Sequence, residues 1–211
     1  MAQGKRTMPK KLEFFYDCSS PWTYLAFTKI EDVARRHDAE LIWRPILVGG
    51  LFNTVNPSVY ESRAKPVPVK ARYYVKDLRD WARFYGLKIG SPTVFPVNSV
   101  KAMRGAFVAD EHRVIARYSR LVFEGYWGED QDISQDDVMR EIVRKAGLDE
   151  KEFFTKIASE EYKARLRANV DELIARGGFG SPTMFVEGSM FFGNDRLPLV
   201  EHELAGGAGK T

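Results

Sequence analysis

Residues 12–24 constrain what this chain can fold into more than any other stretch. Leu12-Glu13-Phe14-Phe15-Tyr16 is a compact apolar run of strand length, and Ser20-Pro21 soon afterwards opens a helical pattern. A serine at that place can accept a hydrogen bond from the unpaired N–H groups of a first helical turn, and proline is best tolerated at the first helical position. Tyr24, Leu25, Phe27, Ile30 and Val33 then recur at helical spacing to about Arg36, and Glu40 to Ile46 alternates like a strand. Strand, helix and strand of this size form a βαβ unit.

The rest of the chain returns to β structure only near its end. Asn53 to Lys70 is rich in Pro, Asn and Ser and predicts a long irregular connection. Helical patterns follow over Ala71–Tyr85, Val100–Glu111, Val114–Trp127, Asp136–Lys145, Glu150–Ile157 and Glu160–Ala175. Ser134 with Asp137 predicts a capping box at the fourth of these. Thr183–Val186 and Met190–Phe192 flank Glu187-Gly188-Ser189, a hairpin signal, and a last helix runs from about Arg196 to Leu204. The expected division is a βαβ half over 11–50, an all-helical insertion over 51–175 and a ββα half over 176–205.

Composition narrows the function classes. At 211 residues the chain can bury roughly 70% of its unfolded surface, as one large domain or two interleaved ones. A net charge of +3, spread among nearly as many acids as bases, argues against a nucleic-acid partner. No apolar run reaches the length of a membrane span, so no membrane partner is expected. The single cysteine, Cys18, excludes an intramolecular disulfide and suits a cytoplasmic setting. The three histidines, His37, His112 and His202, lack metal-ligand spacing, and no metal is expected. Met1 to Lys10 reads as a frayed tail without a secretory signal, and Gly206 to Thr211 as a flexible one.

Ser20-Pro21-Trp22-Thr23 occupies the place where thioredoxin-like proteins carry Cys-Pro-x-Cys. Hydroxyls stand for both thiols, so the site cannot exchange disulfides through its own sulfur. Further along, Gly90-Ser91-Pro92-Thr93-Val94-Phe95 and Gly180-Ser181-Pro182-Thr183-Met184-Phe185 are near copies, and only the second precedes a hairpin and a closing helix. Together with Phe15-Tyr16-Asp17, Tyr24-Leu25-Ala26, Asp77-Leu78, Trp81-Ala82, Phe95-Pro96, Tyr126-Trp127-Gly128 and Gly193-Asn194-Asp195-Arg196-Leu197, these blocks resemble the 2-hydroxychromene-2-carboxylate isomerases and the related kappa-class glutathione transferases. The resemblance spans about Leu12 to Leu204.

That resemblance implies an α/β, thioredoxin-like fold with a helical domain inserted between its two halves, a homodimer, and glutathione as cofactor. It implies that Ser20 stabilises the glutathione thiolate, that Pro182 is a cis-proline, and that the backbone of Ser181 pairs with the cysteinyl segment of glutathione. Asn194 and Asp195 match the family's contact for the γ-glutamyl end, and Lys70 its contact for a carboxylate. Trp22, beside Ser20, is a candidate wall for an aromatic substrate, with Phe52, Trp127 and Phe179 as further candidates. One departure stands out: relatives often carry Asn-Lys-Pro where this chain has Ala64-Lys65-Pro66, leaving Asn53 or Asn56 as replacements. The competing reading of Ser20 is a helix cap alone, that of Asp195 an ordinary N-cap, and that of Lys70 a solvated lysine. Cys18, at a strand end, is expected to pack as a small hydrophobe rather than serve as a nucleophile.

The expected activity is isomerisation of an aromatic 2-hydroxychromene-2-carboxylate-like compound to its trans-benzylidenepyruvate. The alternatives are conjugation of glutathione to small electrophiles, as in a kappa-class transferase, and glutathione binding without catalysis.

Overall fold

The computed structural model describes residues 8–206; residues 1–7 and 207–211, which hold most of both expected tails, lie outside it. The elements in chain order are β1 (Lys11–Tyr16), α1 (Pro21–Arg36), β2 (Glu40–Pro45), α2 (Val48–Val55), α3 (Ser58–Ala64), α4 (Pro68–Tyr85), α5 (Val100–Glu111), α6 (Ile115–Phe123), α7 (Asp136–Ala146), α8 (Glu150–Ala158), α9 (Glu160–Ala175), β3 (Thr183–Val186), β4 (Ser189–Phe192) and α10 (Leu197–Leu204). A π-helical turn, Glu124–Gly128, continues α6, and a 3₁₀ turn, Asn194–Arg196, precedes α10.

The four strands form one mixed sheet in the order β2-β1-β3-β4. β1 and β2 are parallel, Phe14 facing Trp43, as a βαβ crossover requires. β3 runs antiparallel to β1, Phe14 opposite Met184, and β4 antiparallel to β3, Phe185 opposite Met190. This is the expected thioredoxin-like plan, with helices α2 to α9 entering between β2 and β3. The central strands β1 and β3 are buried almost throughout, whereas β4, at the edge, is largely exposed. One apolar cluster runs from Leu12, Phe14 and Tyr16 of the sheet through Phe123 to Phe153 and Leu166 of the inserted helices. The insertion thus shares its core with the sheet.

Three local expectations differ from the structure. Residues 53–70, expected as an irregular connection, are largely helical: α2, α3 and the start of α4. The reason is visible in their burial, since α2 buries only Leu51 and α3 buries nothing, so no apolar period marks them. The capping box at Ser134 does not form; Gln135 is the N-cap of α7, and Asp132 accepts from the Ser134 N–H at 3.0 Å instead. Finally, the helix expected over Val114–Trp127 changes to π geometry at Glu124, which brings Trp127 under the β1–α1 turn.

Candidate active site

The β1–α1 turn meets the start of β3 along one edge of the sheet, and the contact is polar. Ser20 is the N-cap of α1, with extended backbone geometry and Oγ accepting from the Thr23 N–H at 3.3 Å. Its hydroxyl donates to the carbonyl oxygen of Ser181 at 3.2 Å. The Ser181 hydroxyl in turn accepts from the Asp17 N–H at 3.1 Å and shares a 2.8 Å hydrogen bond with Thr23 Oγ1. The Ser181-Pro182 peptide is cis, as the sequence context predicts, and places Ser181 against the helix start. A second cis bond, Phe95-Pro96, was not anticipated; it follows the first near-copy, whose own Pro92 is not cis.

The first turn of α1 contains no acidic residue. No side chain of that turn neutralises its positive end, which borders a cleft of about 630 Å³. Ser20, Pro21 and Trp22 form one wall, Ser181 and Phe179 another, and α2 and α3 contribute Phe52, Asn56, Tyr60 and Arg63. The segment around Phe95 and Pro96 closes the remaining side.

Asp17 lies at the cleft floor and is buried, accepting from the Ser19 N–H and the Val48 N–H, both at 2.9 Å. Burial pushes its carboxyl up, against the two N–H groups that hold it down. It thereby clamps the β1–α1 turn to the start of α2. Sequence reasoning placed Asp17 inside a family block without assigning it a task; an acid closing an apolar strand was the available signal. Cys18 is 1% exposed, packs in the core, and has its thiol pushed up by burial. Its carbonyl accepts from Trp127 Nε1 at 2.8 Å, which makes Trp127 a core residue rather than a cleft wall.

The remaining site residues expected from sequence lie around this centre at different depths. Trp22 lines the cleft, and its ring meets that of Tyr74 edge-on at 6.3 Å. Lys70 is exposed on α4, one turn from Tyr74, in a separate shallow depression with Tyr73 and Asp77. Asn194 and Asp195 do not line the cleft, but Gly193 N–H donates to the Pro182 carbonyl at 3.0 Å, so their turn backs directly onto the cis-proline. Asn194 is buried and its amide Nδ2 has no partner among the described residues. Asp195 pairs with Arg196, and the N-cap of α10 is Arg196, not Asp195. Asn53 and Asn56 are both engaged, Asn53 accepting from Tyr60 at 2.8 Å and Asn56 donating to the Phe179 carbonyl at 3.1 Å.

Comparison with known proteins agrees with this fold. The chain is 29% identical over 201 residues to 2-hydroxychromene-2-carboxylate isomerase of Sphingobium xenophagum, covering 93% of this chain and 99% of that one. It is 27% identical to glutathione S-transferase kappa 1 of Rattus norvegicus, covering 93% and 91%. The solved structure of a 2-hydroxychromene-2-carboxylate isomerase superposes with a TM-score of 0.78 at 26% identity, over 92% of this chain and 94% of that one. The DSBA-like thioredoxin domain pattern matches residues 11–205, so the chain belongs to the DsbA-like thioredoxin family.

Proposed function

We propose that this protein is a glutathione-dependent isomerase that opens a 2-hydroxychromene-2-carboxylate-like ring to its trans-benzylidenepyruvate. The observation that carries the reading is the Ser20 hydroxyl, set at an acid-free helix N-terminus against the Ser181 carbonyl, in the place where the fold otherwise holds a reactive thiol. Bound there, glutathione supplies a thiolate that adds to a conjugated carbon and is released unchanged after the bond has rotated.

Residues on this cleft and around it suit such a guest. Ser181 offers its backbone to an extended peptide segment, and engagement of its carbonyl by a peptide N–H frees the Ser20 hydroxyl to donate to sulfur. Lowering a thiol pKa by about two is worth roughly 2.7 kcal/mol, within reach of one charge-assisted hydrogen bond and a helix terminus. Among the described residues no basic group is hydrogen-bonded to the Ser20 hydroxyl, and none is needed in this role. The unpartnered Asn194 amide is a donor awaiting an acceptor, and Asp195 a carboxylate suited to an ammonium, so their turn is the proposed holder of the γ-glutamyl end. Lys70 is the proposed contact for a glutathione carboxylate. Trp22 and the neighbouring aromatic rings form the proposed substrate wall.

The proposed protein is a cytoplasmic homodimer. Only Ala82 of the eighteen residues of α4 is buried, while Val69, Tyr73, Tyr74 and Phe84 stand exposed on it, as expected of a helix that completes its packing against a partner.

The test is turnover of 2-hydroxychromene-2-carboxylate with and without glutathione, with the thiol assayed before and after. Isomerisation that requires glutathione and leaves its concentration unchanged supports the reading. Stoichiometric thiol loss with an electrophile moves the assignment to a transferase, the reading that the kappa-class relatives favour.

A further inference from the structure

The cleft is walled by aromatic rings and, among the described residues, carries one cationic side chain, Arg63 of α3. Its guanidinium carbon lies 5.7 Å from the centre of the Phe52 ring and 5.5 Å from that of Phe95. Among the described residues no carboxylate pairs with it and no hydrogen bond involves it, although the chain is otherwise dense in ion pairs. The other charged group on the cleft, Asp17, has each carboxylate oxygen occupied by a backbone N–H.

The ring beside this residue is held from behind by hydrogen bonds. Phe95 is half-exposed, yet its loop is pinned on both sides: Tyr126 Oη donates to the Val94 carbonyl at 2.9 Å, and the Thr93 N–H donates to Asp130 at 2.6 Å. A fixed, exposed ring and a guanidinium with its whole donor fork unspent, side by side at the mouth of an apolar cleft, make a receptor for a planar anion. Arginine presents two parallel N–H groups that match the two oxygens of a carboxylate.

The structure assigns Arg63 as the carboxylate receptor of this cleft, so that the site selects planar aromatic anions over neutral aromatics of the same shape. The inference rests on the cleft being the reaction site, as proposed above, and adds the group that reads the ligand's charge. The carboxylate has two possible sources, the aromatic substrate and glutathione itself, and both present the same chemistry to the guanidinium.

The experiment is calorimetric titration of the full chain with 2-naphthoate and with its neutral carboxamide, 2-naphthamide, without thiol. The expected result is tighter binding of the carboxylate by about tenfold or more, as for a charge-assisted pair. In Arg63→Gln the two probes bind alike, with the carboxamide unchanged, and Arg63→Lys, which keeps the charge but not the fork, recovers part of the preference. No preference in the parent protein, or an undiminished preference in Arg63→Gln, overturns the assignment. A parallel titration with glutathione separates the sources. Unchanged glutathione affinity in Arg63→Gln gives the receptor to the substrate, and a tenfold loss gives it to the tripeptide. Failure of glutathione to bind either protein defeats the glutathione reading alone, because the naphthoate comparison does not depend on it.

Discussion

Ser20 donates its hydroxyl to the carbonyl oxygen of Ser181, 161 positions further along the chain, at 3.2 Å. This contact ties the helix N-terminus to the backbone edge beside the cis-proline. Thr23, Asp17 and Ser181 reinforce it, so the hydroxyl and its acceptor are held in place before any ligand arrives.

Ser20→Ala is expected to lower turnover by about 10- to 10³-fold, the range for loss of one donor to a reacting anion. Loss of the cap is also expected to cost about 1 kcal/mol of stability. Kinetics and thermal melts on the same preparation separate the two. An unchanged rate with a lowered melting temperature would leave Ser20 as a cap alone.

Ser20→Cys places a thiol at an acid-free helix N-terminus, where its pKa is expected to fall below the usual value of about 8.5. One equivalent should then react rapidly with a disulfide reagent at pH 6. Cys18 of the parent protein, buried with its thiol pushed up, should stay silent until the chain is unfolded.

Asp17→Ala leaves the Ser19 and Val48 N–H groups without their acceptor. Both donors are part-buried, and each left without its acceptor costs about 1–2 kcal/mol. A loss of about 2–4 kcal/mol in urea unfolding is expected, together with weaker binding in the cleft, since α2 is released from β1. A variant as stable as the parent protein would show that the clamp carries no load.

Glu111 is a test of pH dependence. Burial raises its carboxyl, but hydrogen bonds from Tyr162, Lys156 and Arg165 outweigh this and hold it at about 2. A depressed folded-state pKa contributes stability above the unfolded value of about 4.3, and that contribution disappears as pH falls through about 2. The parent protein should therefore lose stability between about pH 5 and pH 2. Glu111→Gln should be less stable at pH 7 and show a shallower acid dependence; urea midpoints at several pH values provide the check.

Tyr73→Arg on the exposed face of α4 should convert the proposed dimer to monomer, read by light scattering. A parent protein that is already monomeric at micromolar concentration would remove the proposed role of this face.

Much of the fold is legible in the chain because its signals are local. The Ser20-Pro21 start, the apolar period to Arg36, and the boundaries of α5, α9 and β3 coincide with the structure, since capping, proline geometry and apolar spacing act within one or two turns. Residues 53–70 escaped because their helices bury almost nothing, and periodicity records burial rather than helicity. The same lack of burial hid Arg63: nothing in its neighbourhood marks a residue whose neighbours, Phe52 and Phe95, come from separate segments.

The sequence by itself determined that a hydroxyl stands at the helix start where the fold otherwise carries a thiol, and that any sulfur used there must be borrowed. Only the tertiary structure decided what that hydroxyl meets. The pairing of β1 with β3 sets Asp17, Ser20 and Thr23 against Ser181, while the inserted helices cover Cys18 with Trp127 and bring α3 to the cleft. These are contacts between residues far apart in the chain. Their geometry comes from the burial of a common core, which no local pattern of residues encodes.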